Sequence, residues 1–222
     1  MSSVSRVDQS LKLVIGNKRF SSWSLRPWLV LEHFQIPFEE ILIPLDQHDT
    51  TTEILKYTPT ARVPVLLVSD DLQIWESLAI CEYLSDLHPD KNLWPRDLVA
   101  RARARTISNE MHAGFAQMRQ LLSHDLQKQF AVGEFDWSPA LKDVERVKTI
   151  WTEALTASGG PFLYGDFSIA DAMFAPVVNR FISYGVPVDG LAADYVATLR
   201  ALPAHQKWIA AGLKETYIAP HH

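Results

Sequence analysis

All of the strand-like patterning in this 222-residue chain falls before Trp94, and every periodic segment after Pro95 repeats at helical spacing. Such a division rules out a sheet running through the whole molecule. It points to a sheet-and-helix unit built first, with a purely helical unit packed against it. We place these units at residues 10–91 and 96–217, with Asn92-Leu93-Trp94-Pro95 as the linker. Leu11 to Ile15 reads as a buried strand. The helix that follows carries Trp28 to Leu31 and has Pro27 near its start, where a missing N–H costs nothing, so it begins at Ser22 to Ser24. Pro37 stops it, and Phe38 to Pro44 forms a second strand.

Thr50, three residues ahead of Glu53, has the spacing of a capping box and predicts a short helix over Glu53 to Lys56. Pro64 heads the apolar run to Val68, which predicts an edge strand or a bend. Ser69-Asp70-Asp71 has turn chemistry and joins that run to Leu72–Trp75 as a hairpin; Glu76-Ser77 then opens a helix reaching Leu87. Strand, helix, strand, helix, strand, strand, helix is a thioredoxin-like order. The expected fold is therefore an α/β thioredoxin-like N-terminal domain plus an all-α C-terminal domain.

In the second unit, Leu98 to Gln129 reads as one long helix or two, with Gly114 near the middle. Ser138-Pro139 starts a helix to about Ala157, closed by Gly159-Gly160. Ser168-Ile169-Ala170-Asp171 has capping-box spacing and opens a helix ended by Gly185. Met173, Phe174, Val177, Val178 and Phe181 make that helix apolar nearly all round, so it should be the buried centre of the helical unit. Asp189 to Ala201 and Pro203 to Leu213 supply two more helices. Residues 1–10 are polar and expected to fray, and His221-His222 read as the remnant of a purification tag.

A net charge of -5 argues against a nucleic-acid partner. The single cysteine, Cys81, excludes an intramolecular disulfide and leaves no zinc cluster, and no metal is expected; its apolar helix face makes it a core residue. No apolar run has the length of a membrane span and no signal-peptide layout occurs, so the expected location is cytoplasmic.

The chemistry centres on Phe20 to Pro27, where three serines lie between a strand and a helix. Unpaired N–H groups and the helix dipole favour an anion there, and a thiolate is an anion. An ordinary serine cap explains the same residues and, for this stretch alone, is the commoner reading. Three further signatures follow in order: Val63-Pro64, then Glu76-Ser77-Leu78-Ala79-Ile80 with Glu82-Tyr83-Leu84, then Ser168-Ile169-Ala170-Asp171. With Ser21-Ser22-Trp23-Ser24 and Arg26, these make the chain resemble the cytosolic glutathione transferases over roughly residues 11–215. The first signature is similar to the Ser-Ser-Cys-Ser-Trp-Arg of the zeta class, the maleylacetoacetate isomerases, which suggests a bacterial zeta-like member with a serine-type site.

The resemblance implies glutathione as co-substrate, a small electrophile as second substrate, and a homodimer. Ser22 is implied as the catalytic hydroxyl, with Ser21 as the alternative, donating a hydrogen bond to a thiol that free in water titrates near 8.5. Trp23 would wall the thiol site. Glu76 would pair with the glutamyl ammonium and Ser77 with the glutamyl carboxylate. Val63, beside a cis Pro64, would pair its backbone with the cysteinyl main chain, and Arg62 would meet the glycyl carboxylate. His112 and Arg119, seven apart and so on one helix face, are candidates for binding an acidic second substrate. Trp23 stands where the zeta motif has cysteine, Leu25 where it has tryptophan, and Ala116 where the family has glutamine. These departures put maleylacetoacetate isomerisation in doubt, although a glutathione-dependent isomerase stays open. A non-catalytic glutathione-binding or interaction module is the other alternative, and the intact Ser22, Val63, Pro64, Glu76 and Ser77 set favours the enzyme.

Overall fold

The computed structural model describes residues 11–216. The polar segment 1–10, the pair His221-His222 and the outer limits 10 and 217 of the two units lie outside the described residues. Four strands, β1 (Leu11–Ile15), β2 (Phe38–Leu42), β3 (Val65–Ser69) and β4 (Leu72–Trp75), form one sheet in the order β2-β1-β3-β4. β1 runs parallel to β2 and antiparallel to β3, and β3–β4 is the expected hairpin, with a bulge between Leu67 and Ser69. The run of apolar residues in β1 follows from its central place, which buries both faces. Leu11, Leu13 and Ile15 join the main core under α1 (Ser22–His33) and the later helix Ser77–Leu87, while Val14 packs with Val65, Ile43 and Ile54 on the other face.

One expectation for this unit is corrected. Helix α2 spans Thr50–Leu55, not Glu53 to Lys56, and Thr50 does not cap it; its hydroxyl donates to the Pro44 carbonyl at 2.6 Å and accepts from Gln47 N–H at 2.9 Å. The loop before the helix thus claims the hydroxyl. Of the edge strand or bend expected at Pro64, the structure has the bend, at Val63; Pro64 precedes β3, an inner strand, so it disturbs no ladder bond. The Val63–Pro64 peptide is cis, as is Gly160–Pro161.

α3 (Ser77–Leu87) leads to the linker, where Trp94 is buried and its Nε1 donates to Glu82 at 2.9 Å. Glu82 also accepts both arms of Arg105, tying α3 to α4 (Leu98–Ala113). Cys81 is fully buried and its thiol is pushed up by burial, in keeping with a core role. α4 stops at Gly114, where an added Cβ would meet the Glu110 carbonyl at 2.8 Å, and Phe115 turns the chain with a φ of 60°. α5 (Ala116–Leu121) follows, and no helix covers residues 122–137. The expected helix to Gln129 fails because tertiary bonds claim this segment: Asp125 accepts both arms of Arg19, at 2.7 and 2.9 Å.

α6 (Leu141–Ser158), α7 (Ile169–Ser183), α8 (Gly190–Ala201) and α9 (Pro203–Leu213) follow among the described residues. In α7 all residues but Ile182 are buried, as its all-round apolar sequence predicts. Trp151 of α6 packs against Phe174 and Phe181 of α7 and Tyr195 of α8. Asp171, fully buried, accepts from Ser168 N–H at 2.9 Å, Ser168 Oγ at 3.1 Å and Leu163 N–H at 3.0 Å. Burial pushes its carboxyl up to about 6 despite these bonds.

Asp171→Ala would leave two buried N–H groups unpaired and remove the cap. We expect a loss of about 2–4 kcal/mol in urea unfolding; a loss below about 1 kcal/mol would contradict this account of α7.

Candidate active site

The strand-to-helix junction is held by its own backbone, the Asn17 side chain and two serines. Asn17 carbonyl accepts from Phe20 and Ser21 N–H, and Asn17 Oδ1 accepts from Leu45 N–H, fixing the turn after β1. Ser21 is the N-cap of α1: its Oγ accepts from Ser24 N–H at 3.3 Å and donates to Ser24 Oγ at 2.7 Å. Ser24 Oγ in turn accepts from Gly16 N–H at 3.1 Å. The single Ser21 proton is therefore used inside the turn. Ser22 Oγ has a different partner, Arg180 Nη2 at 3.3 Å. Arginine only donates, so this bond occupies the Ser22 oxygen and leaves its proton free.

Six of the residues singled out from the sequence, Trp23, Arg62, Val63, Pro64, Glu76 and Ser77, line one cavity of about 120 Å³ together with Thr60 and Trp75. Two residues around it hold positive φ without being glycine: Ala61 at 53° and Glu76 at 71°. Such backbone costs on the order of 1–3 kcal/mol per residue and persists only where its surroundings hold it. Ser77 Oγ, at the first turn of α3, is buried and has no hydrogen-bond partner among the described residues. A buried hydroxyl and free N–H groups at a helix start suit a ligand carboxylate, so the cavity fits the anionic end of a peptide. A wider cavity of about 570 Å³ beside Tyr57 to Pro59 contains none of the residues singled out.

Trp23 connects this cavity to the helical unit. Its ring meets the Arg26 guanidinium at 4.0 Å, Arg119 at 5.2 Å and the edge of His112 at 5.3 Å. His112 Nε2 lies 3.5 Å from Glu76 Oε2. Burial, then the positive charges of Arg26 and Arg119 against the opposing pull of Glu76, hold the imidazole below its usual value. Arg26 is 2% exposed, its Nε donates to the Met173 carbonyl at 3.2 Å, and burial followed by Arg180 and Arg119 pushes it down to about 9. It stays a cation at neutral pH.

His112 and Arg119 do not share a helix face, because the break at Gly114 and Phe115 separates α4 from α5. They meet instead through Trp23, and Arg119 Nη1 donates to the Met111 and His112 carbonyls at 3.0 and 3.3 Å, closing the end of α4. Sequence reasoning missed Arg180 altogether. The available signal was a lone arginine in the apolar helix Ile169–Ser183, where an unpaired charge is costly unless it has a task. No cluster of three metal-ligating side chains occurs, and no helix is long and apolar enough to cross a membrane, among the described residues.

Residues 20–87 match the family model described as glutathione S-transferase, N-terminal domain. The chain is 32% identical over 164 residues to a probable maleylacetoacetate isomerase of Caenorhabditis elegans, an alignment covering 72% of this chain and 75% of that one. It is also 32% identical over 174 residues to the glutathione S-transferase GstB of Escherichia coli, covering 71% and 77% respectively. Among solved structures it is similar to a glutathione transferase homologue from Burkholderia with bound glutathione, with a TM-score of 0.70, 24% identity, and coverage of 93% of this chain and 100% of that one.

The His112 environment sets a titration test. Its NMR titration midpoint should lie below 6.5, and Glu76→Gln should lower it further, because the carboxylate is the group that favours the imidazolium. A midpoint at or above 6.5, or a rise in the variant, would contradict the geometry around Trp23.

Proposed function

The chain belongs to the glutathione transferase family, and we propose that it activates the glutathione thiol through the Ser22 hydroxyl for attack on a small electrophile. The observation that carries this reading is the division of labour at the start of α1. Ser21 spends its proton on Ser24, whereas Ser22 keeps its own proton; neither serine lines the cavity formed by Trp23, Val63, Glu76 and Ser77, and Ser22 adjoins it in the chain through Trp23. Glu76 pairs with the glutamyl ammonium, and Ser77 Oγ with the N–H groups of α3 takes the glutamyl carboxylate. Val63, which lies outside the ladder, offers its backbone to the cysteinyl residue, and Arg62, exposed at the rim, reaches the glycyl carboxylate.

In this mechanism Ser22 is a hydrogen-bond donor and never a nucleophile. Thiol ionisation releases its proton to water; the Ser22 hydrogen bond and the α1 dipole favour the sulfur anion. Lowering the thiol pKa by about two units corresponds to about 2.7 kcal/mol of selective stabilisation. The thiolate then forms a carbon–sulfur bond with the electrophile, and the electron pair leaves with the displaced group. Family membership also supports a cytoplasmic homodimer, each subunit made of units 10–91 and 96–217 joined at 92–95.

An isomerase reading has support from the 32% identity to the probable maleylacetoacetate isomerase of Caenorhabditis elegans. In that reading the carbon–sulfur bond forms, the adduct rotates, and the same bond breaks to return the thiolate. Trp23, in place of the zeta cysteine, weighs against it, and a screen of conjugation, isomerisation and disulfide-reduction substrates separates the two.

Ser22→Ala should abolish most of the ultraviolet thiolate band of bound glutathione at neutral pH and lower turnover of a chloronitroaromatic on the order of 10- to 100-fold. Ser21→Ala should cost about 1 kcal/mol of stability as a lost cap and affect the band less. Retention of band and turnover in Ser22→Ala would sink the serine mechanism, and a wild type with neither would favour the non-catalytic module.

A further inference from the structure

Arg180 enters the junction from α7, an element far away in sequence and otherwise apolar. Its guanidinium is fixed by carbonyls: Nη1 donates to Leu122 and, at 3.4 Å, to Arg119, which leaves Nη2 aimed at Ser22 Oγ. Three guanidiniums gather here, from α1 (Arg26), α5 (Arg119) and α7 (Arg180), and none forms an ion pair with a carboxylate among the described residues. Arg26 Nη1 is buried without a partner. Burial pushes Arg180 down to about 10, with Arg119 adding to the effect and Tyr184 opposing it, so the group is still charged at neutral pH. His124, buried nearby and held well below its usual value by burial and by Arg180, is neutral and supplies no counter-charge. Arg119 is half-buried and feels the Asp143 carboxylate, whereas Arg26 and Arg180 are buried with no carboxylate partner among the described residues. A buried unpaired charge costs several kcal/mol, so the retention of Arg180 calls for a use.

We propose that Arg180 is a positioning residue that acts through Ser22: it donates to the Ser22 oxygen and so directs the Ser22 proton outward, toward the glutathione sulfur. A hydroxyl whose oxygen accepts from a cation is also a stronger donor, because hydrogen bonds in a chain polarise one another. The inference rests on the reading of Ser22 as the activating hydroxyl.

The experiment compares the full-length wild type with Arg180→Met, Arg180→Lys, Ser22→Ala and the double variant Ser22→Ala with Arg180→Met. It reads the pKa of the bound glutathione thiol from thiolate absorbance against pH, alongside the pH profile of kcat/KM and the KM for glutathione. Arg180→Met should raise the thiol pKa by about one unit and lower kcat/KM about tenfold on the acid limb, with KM for glutathione changed less than about twofold. Arg180→Lys, which keeps the charge without the rigid fork, should fall between the wild type and Arg180→Met. In the Ser22→Ala background the Arg180→Met change should have little further effect. Should Arg180→Met fail to fold, the shift in Arg180→Lys decides the matter. An unchanged thiol pKa in the Arg180 variants with a raised one in Ser22→Ala would reduce Arg180 to a structural role. Equal shifts with and without Ser22 would overturn its action through that hydroxyl. An unchanged thiol pKa in Ser22→Ala would instead overturn the reading of Ser22.

Discussion

Helix α7 has almost no solvent face, and the two halves of the molecule are built around that constraint. Its start is pinned by Asp171, which takes up the N–H groups of Ser168 and Leu163, and its sides are packed by α1, α4 and α8. A helix held on every side has no freedom to rotate, so the two polar contacts it makes with α1 are fixed in register. The Met173 carbonyl accepts from Arg26, and Arg180 reaches Ser22. The helical unit thus reaches into the junction that the sheet unit builds, and cap, core and candidate active site form one connected structure.

The electrostatics of the junction are one-sided. Three guanidiniums gather at the N-terminus of α1, while the carboxylate Glu76, which lines the cavity, sits beside His112. This polarity is what the proposed glutathione site, with the amine toward Glu76 and the sulfur toward Ser22, would require. The positive φ of Glu76 fits the same picture, since a strained backbone residue between β4 and α3 sets the direction of both its own side chain and Ser77. Trp23 is the common wall, carrying cations and an imidazole on its ring where the related zeta motif has a small thiol.

Much of this was legible in the chain. β1, β4 and α9 fall where runs of apolar residues, turn residues and Pro203 place them, because those signals act within a few residues. The start of α1 likewise follows from Pro27 and the preceding serines. Local signals misled where a distant partner claimed the same atoms. The Thr50 hydroxyl went to the Pro44 carbonyl in place of a cap, and the region around Asp125 went to Arg19 in place of a helix. His112 and Arg119 have the spacing of one helix face, yet Gly114 and Phe115 break that helix between them.

The sequence by itself determined the order of elements, the serine-rich junction, and six of the residues that line the cavity, since each of these follows from local pattern and motif. Only the tertiary structure decided which serine keeps its proton, because Ser21 and Ser22 are chemically identical until Ser21 meets Ser24 and Ser22 meets Arg180. Arg180 stood out only as a lone arginine in an apolar helix, and its target was hidden for the same reason. Its role is a matter of direction and distance across 158 positions of sequence, and no local signal reports where a buried charge points.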